Sequence, residues 1–300
     1  MRRPGGFGAA PPPLRKEVAA VQPTPKLECV VTDLDNSLLD DQKQVSPRDL
    51  AVIHALKRQG ILFFVVTGRP FPFARQVVRS IGFDLPVCCC NGGHIYDYAA
   101  GQTLYARPIP APVALRVYRH LMEHGVPFIL FTPQGTVFRD RTMKRCQYWQ
   151  HWNSCAPACD QVSFHFVDDP GFDPAQTQVI KFSISYVDEA VRRGILEELG
   201  PQAGAVSCVF SEAGVLDVNA AGVNKGEGVR QLALRFGFDP ARTLALGDNF
   251  NDVEMLRLCG VPVAPQNAEQ SLRAAARFVT ADHSDSPLTC AIQALYPALL

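Results

Sequence analysis

One run of residues limits the possible folds more than any other. Cys29, Val30 and Val31 are apolar and β-prone, and they lead through Thr32 into Asp33-Leu34-Asp35-Asn36-Ser37-Leu38-Leu39. An apolar run without polar alternation suits a strand buried on both faces of a parallel sheet. Two carboxylates then stand at i and i+2, and the Asn and Ser after them favour a turn. Past the strand end the chain must bend, so both acids can face one crevice. Such a pair suits a hard cation together with one nucleophilic carboxylate. On its own Asp-x-Asp is a weak signal, because acidic pairs are common in loops.

The segments that follow repeat the design. Ser46-Pro47-Arg48-Asp49 reads as a helix start, with Ser as N-cap, Pro at the first helical position and an acid three residues after the cap. That helix turns Leu50, Ile53 and Leu56 inward and stops at Gly60. Ile61 to Val66 is a second buried strand, ending in Thr67-Gly68-Arg69-Pro70. A helix from about Pro72 to Ser80 closes at Gly82, and Val87 to Cys90 is a third strand ending in Asn91-Gly92-Gly93. This alternation predicts right-handed crossovers and a parallel, doubly wound sheet. Asp33, Asp35, Thr67 and Asn91 all fall at strand carboxyl ends, the edge at which open α/β sheets bind ligands.

From about Tyr96 to Ser211 the pattern becomes α+β, with antiparallel character. Val179 to Tyr186 alternates as a half-exposed strand, and Trp149 and Trp152 read as core. Arg139, Arg141 and Lys144 read as a solvated face, with substrate contact as the other option. Parallel character returns after Lys225. A helix from Gly226 to Phe236 precedes the buried strand Thr243 to Leu246, which ends in Gly247-Asp248-Asn249-Phe250-Asn251-Asp252. The expected fold is α/β: a Rossmann-like, doubly wound parallel sheet core of residues 26–107 and 219–300, with an inserted α/β cap over 108–218. Residues 1–25, rich in Pro, Gly and Ala, are expected to be a disordered tail.

Composition narrows the function classes. A chain that is 47% hydrophobic and 19% charged is globular rather than disordered. Zero formal net charge leaves no electrostatic footprint for nucleic acid or an anionic membrane. No apolar span reaches the ~18 residues of a transmembrane helix. Cys88-Cys89-Cys90 on one strand is poor disulfide geometry, so a reducing, cytoplasmic setting is expected. Cys146, His151, Cys155, Cys159 and His165 match none of the usual zinc-ligand spacings.

The strand and helix ends carry complementary groups: carboxylates from Asp33, Asp35, Asp248 and Asp252, a hydroxyl from Thr67, backbone amides at Thr67 and Gly68, and the charge of Lys225. Four converging acids repel unless a divalent cation is bound, and a small set of oxygen ligands favours magnesium. A lysine, a hydroxyl and loop amides are what the oxygens of a phosphoryl group need.

Together these segments resemble the four motifs of the haloacid dehalogenase superfamily, most closely its Cof-type (subfamily IIB) phosphatases with a large α/β cap. The resemblance covers nearly the whole chain after Lys26. It rests on Asp33-Leu34-Asp35-Asn36-Ser37-Leu38-Leu39, Val66-Thr67-Gly68-Arg69, Cys90-Asn91-Gly92-Gly93 with Ile95-Tyr96-Asp97, Gly222-Val223-Asn224-Lys225-Gly226 and Gly247-Asp248-Asn249-Phe250-Asn251-Asp252. It implies a magnesium-dependent phosphatase of small phosphate monoesters, either sugar phosphates or phosphorylated cofactors. Asp33 would be the nucleophile that forms an aspartyl-phosphate, and Asp35 the acid and base. Thr67, Gly68, Lys225 and Asn251 would hold the phosphoryl group. Asp33, the carbonyl of Asp35 and Asp248 would hold Mg2+, with Asp252 behind them orienting Lys225. The implied partner is a small phosphorylated metabolite, bound by a monomer or homodimer.

The chain departs from the family pattern where Gly-Thr is replaced by Asn36-Ser37, and again at Ala264-Pro265-Gln266-Asn267-Ala268. A phosphomutase sharing the aspartyl-phosphate and a non-enzymatic phospho-metabolite binding protein are the alternatives.

Overall fold

A computed structural model of the chain describes residues 25–82, 84–158, 161–212 and 214–300. The expected tail lies outside the described residues except for Pro25, as does Cys159. The chain opens with β1 (Cys29–Thr32), α1 (Pro47–Arg58), β2 (Leu62–Val65) and α2 (Phe71–Ile81), followed by β3 (Val87–Cys89), β4 (His94–Asp97) and β5 (Gln102–Ala106). A second block runs α3 (Ala111–Glu123), β6 (Phe128–Thr132), β7 (Gly135–Phe138), α4 (Lys144–Cys155), β8 (Phe164–Phe166), β9 (Lys181–Ser185), α5 (Glu189–Leu199), β10 (Val206–Glu212) and β11 (Val215–Ala220). The last block is α6 (Lys225–Phe236), β12 (Thr243–Leu246), α7 (Val253–Leu258), β13 (Val261–Ala264), α8 (Gln270–Ala275), β14 (Phe278–Val279) and α9 (Pro287–Leu295).

Five strands form a parallel sheet in the order β14-β13-β12-β1-β2. Successive residues of β1 serve opposite faces, as pleating requires. Val30 packs with residues of α1, α2 and α9, including Ile53, Val77 and Ile292. Cys29 and Val31 pack with residues of α6, α7 and α8, including Leu232, Met255 and Leu272. The sheet is therefore doubly wound, and β1, an interior strand between β12 and β2, is buried on both sides, as the unbroken apolar run predicted. Each such side chain contributes roughly 1.5–3 kcal/mol, so the strand carrying Asp33 is among the most firmly fixed in the molecule.

One local expectation is corrected here. β3 is not a full member of the parallel sheet. It meets the end of β2 through one parallel bridge, Val66 with Cys88, and pairs antiparallel with β4 in the three-stranded sheet β3-β4-β5. The chain reverses because Cys90, Asn91 and Gly92 have φ of 53°, 58° and 95°. Gly92 is required there, since a Cβ would lie 2.2 Å from the carbonyl oxygen of Asn224. Ser46 caps as expected, its Oγ accepting from Asp49 N at 3.1 Å, but the buried Asp49 carboxylate accepts from Thr289 N and Oγ1 at 2.8 and 2.7 Å.

The second block builds a six-stranded sheet, β10-β11-β9-β6-β7-β8, antiparallel except for the β7–β8 pair. α3 and α5 cover one face, where Val117, Leu121 and Ile195 pack with Phe128, Leu130, Phe182, Ile184, Leu216 and Val218. Alternation sends Lys181, Ser183, Asp217 and Asn219 to the opposite face. All four are buried, so β9 is not the half-exposed strand its pattern suggested. It lies between β11 and β6, and the face bearing its polar residues is covered.

Candidate active site

The carboxyl edge of the parallel sheet gathers the acids. Asp33 extends the ladder of β1 by donating its N–H to Leu246 O at 2.9 Å, then the chain turns at Asn36, whose φ is 56°. Asparagine tolerates this left-handed conformation better than most residues, which accounts for its standing where relatives of the motif carry glycine. Ser37 Oγ donates to Asp248 Oδ1 at 2.8 Å, and Asn267 Nδ2 donates to Asn36 O at 2.8 Å. The two segments that carry departures from the family pattern thus touch at this turn, through Asn267.

Lys225, the first residue of α6, is completely buried. Its Nζ lies 2.8 Å from Asp33 Oδ1 and 2.7 Å from Asp252 Oδ1. The other oxygen of Asp252 accepts from the N–H groups of Asp248 and Asn249 at 3.0 and 3.1 Å. Both Asp252 oxygens are thereby engaged within the protein, fixing the lysine on one side and the loop carrying Asp248 on the other.

Carboxylate oxygens of Asp33, Asp248 and Asp252 lie within 4.8 Å of one another. Burial pushes Asp33 well above the usual carboxylate range; Lys225 pulls it down, while Asp252 and Asp248 push it further up. Burial likewise raises Asp248, with Asp252 adding to the push. Lys225 is driven up, against the effect of burial, by Asp252 and Asp33. One ammonium thus faces three buried acids, a deficit of positive charge that a divalent cation would fill. The all-oxygen donor set fits a hard ion such as Mg2+.

Asp35 stands apart from this cluster. Arg69 holds it in a bidentate grip, Nε to Oδ2 at 2.7 Å and Nη2 to Oδ1 at 2.6 Å, with Lys43 Nζ at 3.2 Å. Burial would raise its pKa, but the hydrogen bonds and charge of Arg69, with Lys43, outweigh burial and hold it at about 2. Nothing in the order of the motifs signalled this clamp. The buried Thr67 accepts from Arg69 N at 3.1 Å, and Asn251 Nδ2 donates to Asn91 Oδ1 at 3.2 Å.

Asp33, Asp35, Thr67, Gly68, Asp248 and Asn251 all line one cavity of about 840 Å³; Lys225 and Asp252 lie behind its wall. The facing wall comes from the second block and includes Lys144, Arg145, Tyr148, Trp149, Trp152 and Tyr186. Trp149 and Trp152 are thus not plain core, although Trp149 also stacks on Phe73 with ring centroids 4.2 Å apart. Arg139 and Arg141 are engaged elsewhere, with Asp140 and with Asp168 and Asp169 respectively. Lys181 and Asp217, which the sequence pattern did not single out, also line the cavity.

A family model described as haloacid dehalogenase-like hydrolase matches residues 30–292. The chain belongs to the haloacid dehalogenase-like hydrolases. Within this family it is 26% identical over 260 residues to the pyridoxal phosphate phosphatase YbhA of Escherichia coli strain K12, the match covering 85% of this chain and 93% of that one. It is 25% identical over 259 residues to the 5-amino-6-(5-phospho-D-ribitylamino)uracil phosphatase YbjI of the same organism, covering 84% and 90%. Its fold is that of a haloacid dehalogenase-like hydrolase from Bacteroides thetaiotaomicron, with a TM-score of 0.75 at 21% identity over 90% of this chain and 100% of the other. No described helix is long and apolar enough to cross a membrane.

Proposed function

We propose that this hydrolase releases phosphate from small phosphate monoesters, sugar phosphates or phosphorylated cofactors, by way of an aspartyl-phosphate on Asp33. The observation that carries the proposal is Asp33 itself: a buried carboxylate at a strand end, 2.8 Å from a fixed ammonium and open to the cavity that holds Thr67, Gly68 and Asp248. Asp33 and Asp248, with the main-chain carbonyl of Asp35, would hold Mg2+, and the ion would neutralise charge on the phosphoryl oxygens. Thr67, the Gly68 amide, Asn251 and Lys225 would hold those oxygens.

In the first step an Asp33 oxygen attacks phosphorus, the ester P–O bond breaks, and a proton from Asp35 goes to the leaving oxygen. In the second, water attacks the same phosphorus, Asp35 takes its proton, and the bond to Asp33 breaks to free inorganic phosphate. Gripped by Arg69, Asp35 is ionised and ready for the second step; for the first it must acquire a proton as that grip loosens. Residues 108–218 would serve as a cap that excludes water and selects the ester. The names of the two relatives, a pyridoxal phosphate phosphatase and a 5-amino-6-(5-phospho-D-ribitylamino)uracil phosphatase, support a small phosphate monoester as the substrate.

The test is phosphate release from a panel of sugar and cofactor phosphates, with magnesium and with EDTA, beside Asp35→Asn. Magnesium-dependent release that the substitution abolishes is expected. Phosphate passed to a second sugar hydroxyl would favour a mutase instead, and binding without turnover would favour a sensor.

A further inference from the structure

The polar face of the six-stranded sheet reaches across to the loops of the parallel sheet at one place. Lys181 Nζ donates to Asp217 Oδ2 at 2.7 Å and to the carbonyl of Gly68 at 3.0 Å, and it lies 5.2 Å from the centre of the Phe131 ring. Asp217 Oδ2 also accepts from Asn91 Nδ2 at 3.0 Å. Asn91 in turn accepts from Asn251 at its side chain and donates its N–H to Thr67 O at 3.1 Å, while Cys90 N donates to Arg69 O at 3.1 Å. One ion pair, with side chains 5% and 3% exposed, is therefore bonded to the Thr67–Gly68 loop that lines the cavity and to Asn91, and through Asn91 to Asn251, which lines it too.

Stability alone is a poor reason for this pair. A buried ion pair is often no more stabilising than apolar residues of the same volume. Here the remaining oxygen, Asp217 Oδ1, is buried without a hydrogen-bond partner among the described residues, which itself is destabilising. The contacts are also local to the site: Gly68 approaches Asn91 so closely that a Cβ would lie 2.9 Å from Asn91 Oδ1. The geometry points to Lys181 and Asp217 as positioning residues that set the Thr67–Gly68 loop, Asn91 and Asn251 in register around the phosphoryl group. This rests on the phosphatase reading, but the placement of the loops can be measured without turnover.

Single substitutions strand a buried charge, so the main variant is the double Lys181→Met/Asp217→Asn, which removes both charges and keeps the shape. Asp217→Asn alone is the second variant should the double fail to fold, and Lys181→Arg tests rescue. Amide exchange of Cys90 and Asn91 should quicken about 10- to 100-fold, with the amides of β6 and β9 unchanged, and kcat on acetyl phosphate should fall by a similar factor at unchanged Tm. Lys181→Arg should recover most of that kcat. Wild-type exchange and kcat in a folded variant would overturn the assignment, as would exchange that quickens equally across the six-stranded sheet, which marks a purely structural pair. If the wild type releases no phosphate, the phosphatase reading falls while the exchange comparison still decides the role of the pair.

Discussion

Replacing Lys225 with Met removes the ammonium that serves Asp33 and Asp252. Its Nζ is 2.8 and 2.7 Å from their oxygens, and all three side chains are buried. Leaving a buried charge without its partner costs about 3–5 kcal/mol. At about 2.1 cal/mol/K of unfolding entropy per residue, each kcal/mol lowers the Tm of a 300-residue chain by roughly 1.6 °C, so a fall of roughly 5–8 °C follows. The loss must depend on pH in a definite sense. Asp33 and Asp248 already have raised pKa values, so the folded state binds protons that the unfolded state has released. Stability from these groups therefore declines as pH rises above the ordinary carboxylate range. Without Lys225 their pKa values climb further, so the deficit is deepest at neutral and alkaline pH and shrinks on acidification. Thermal melts at several pH values, with and without magnesium, are the assay; added magnesium should recover part of the loss by supplying charge. Phosphate release should fall about 10²–10³-fold. A Tm unmoved at pH 8, or a deficit that grows on acidification, would refute the reasoning.

Other perturbations probe separate parts of the account. Asp49→Ala should cost about 1–3 kcal/mol in urea unfolding, because Thr289 N and Oγ1 lose their acceptor; Asp49→Asn, which keeps an acceptor oxygen, should cost less. Arg69→Gln frees Asp35, whose depressed pKa then moves up under burial, so the acid limb of the pH–rate profile should shift to higher pH; an unmoved limb would mean that Asp35 does not set it. Trp152→Ala should lower kcat/KM for bulky aromatic esters about tenfold or more while leaving acetyl phosphate nearly untouched, and a uniform loss would deny the wall a part in selection.

What the sequence made legible was mainly what one strand and its end can encode. The run from Cys29 to Thr32 and its acids, the second strand with Thr67, and the buried strand before Asp248 lie where local pattern put them, because burial on both faces leaves an apolar signature. The N-cap Ser46 and the left-handed Asn36 were equally readable, being set by neighbouring backbone. Contacts made across the chain were not. Arg69 reaching Asp35, Asp49 reaching Thr289, and Lys181 with Asp217 reaching Gly68 and Asn91 all depend on how separate elements pack. β9 shows why: alternation between polar and apolar residues normally marks a wet face, yet here its polar side faces a cavity and the loop at Gly68. Trp149 and Trp152 were half legible for the converse reason: Trp149 packs on the core as read, but both line the cavity, and an aromatic residue reads alike whether it fills a core or lines a binding wall.

The most direct measurement is of Asp33 itself. Radiolabelled acetyl phosphate, whose leaving group needs no proton from Asp35, mixed with Asp35→Asn enzyme and quenched in acid should leave phosphate on the peptide containing Asp33, labile to hydroxylamine, and Asp33→Asn should show neither label nor turnover. An Asp33→Asn enzyme that releases phosphate at the wild-type rate would contradict the account.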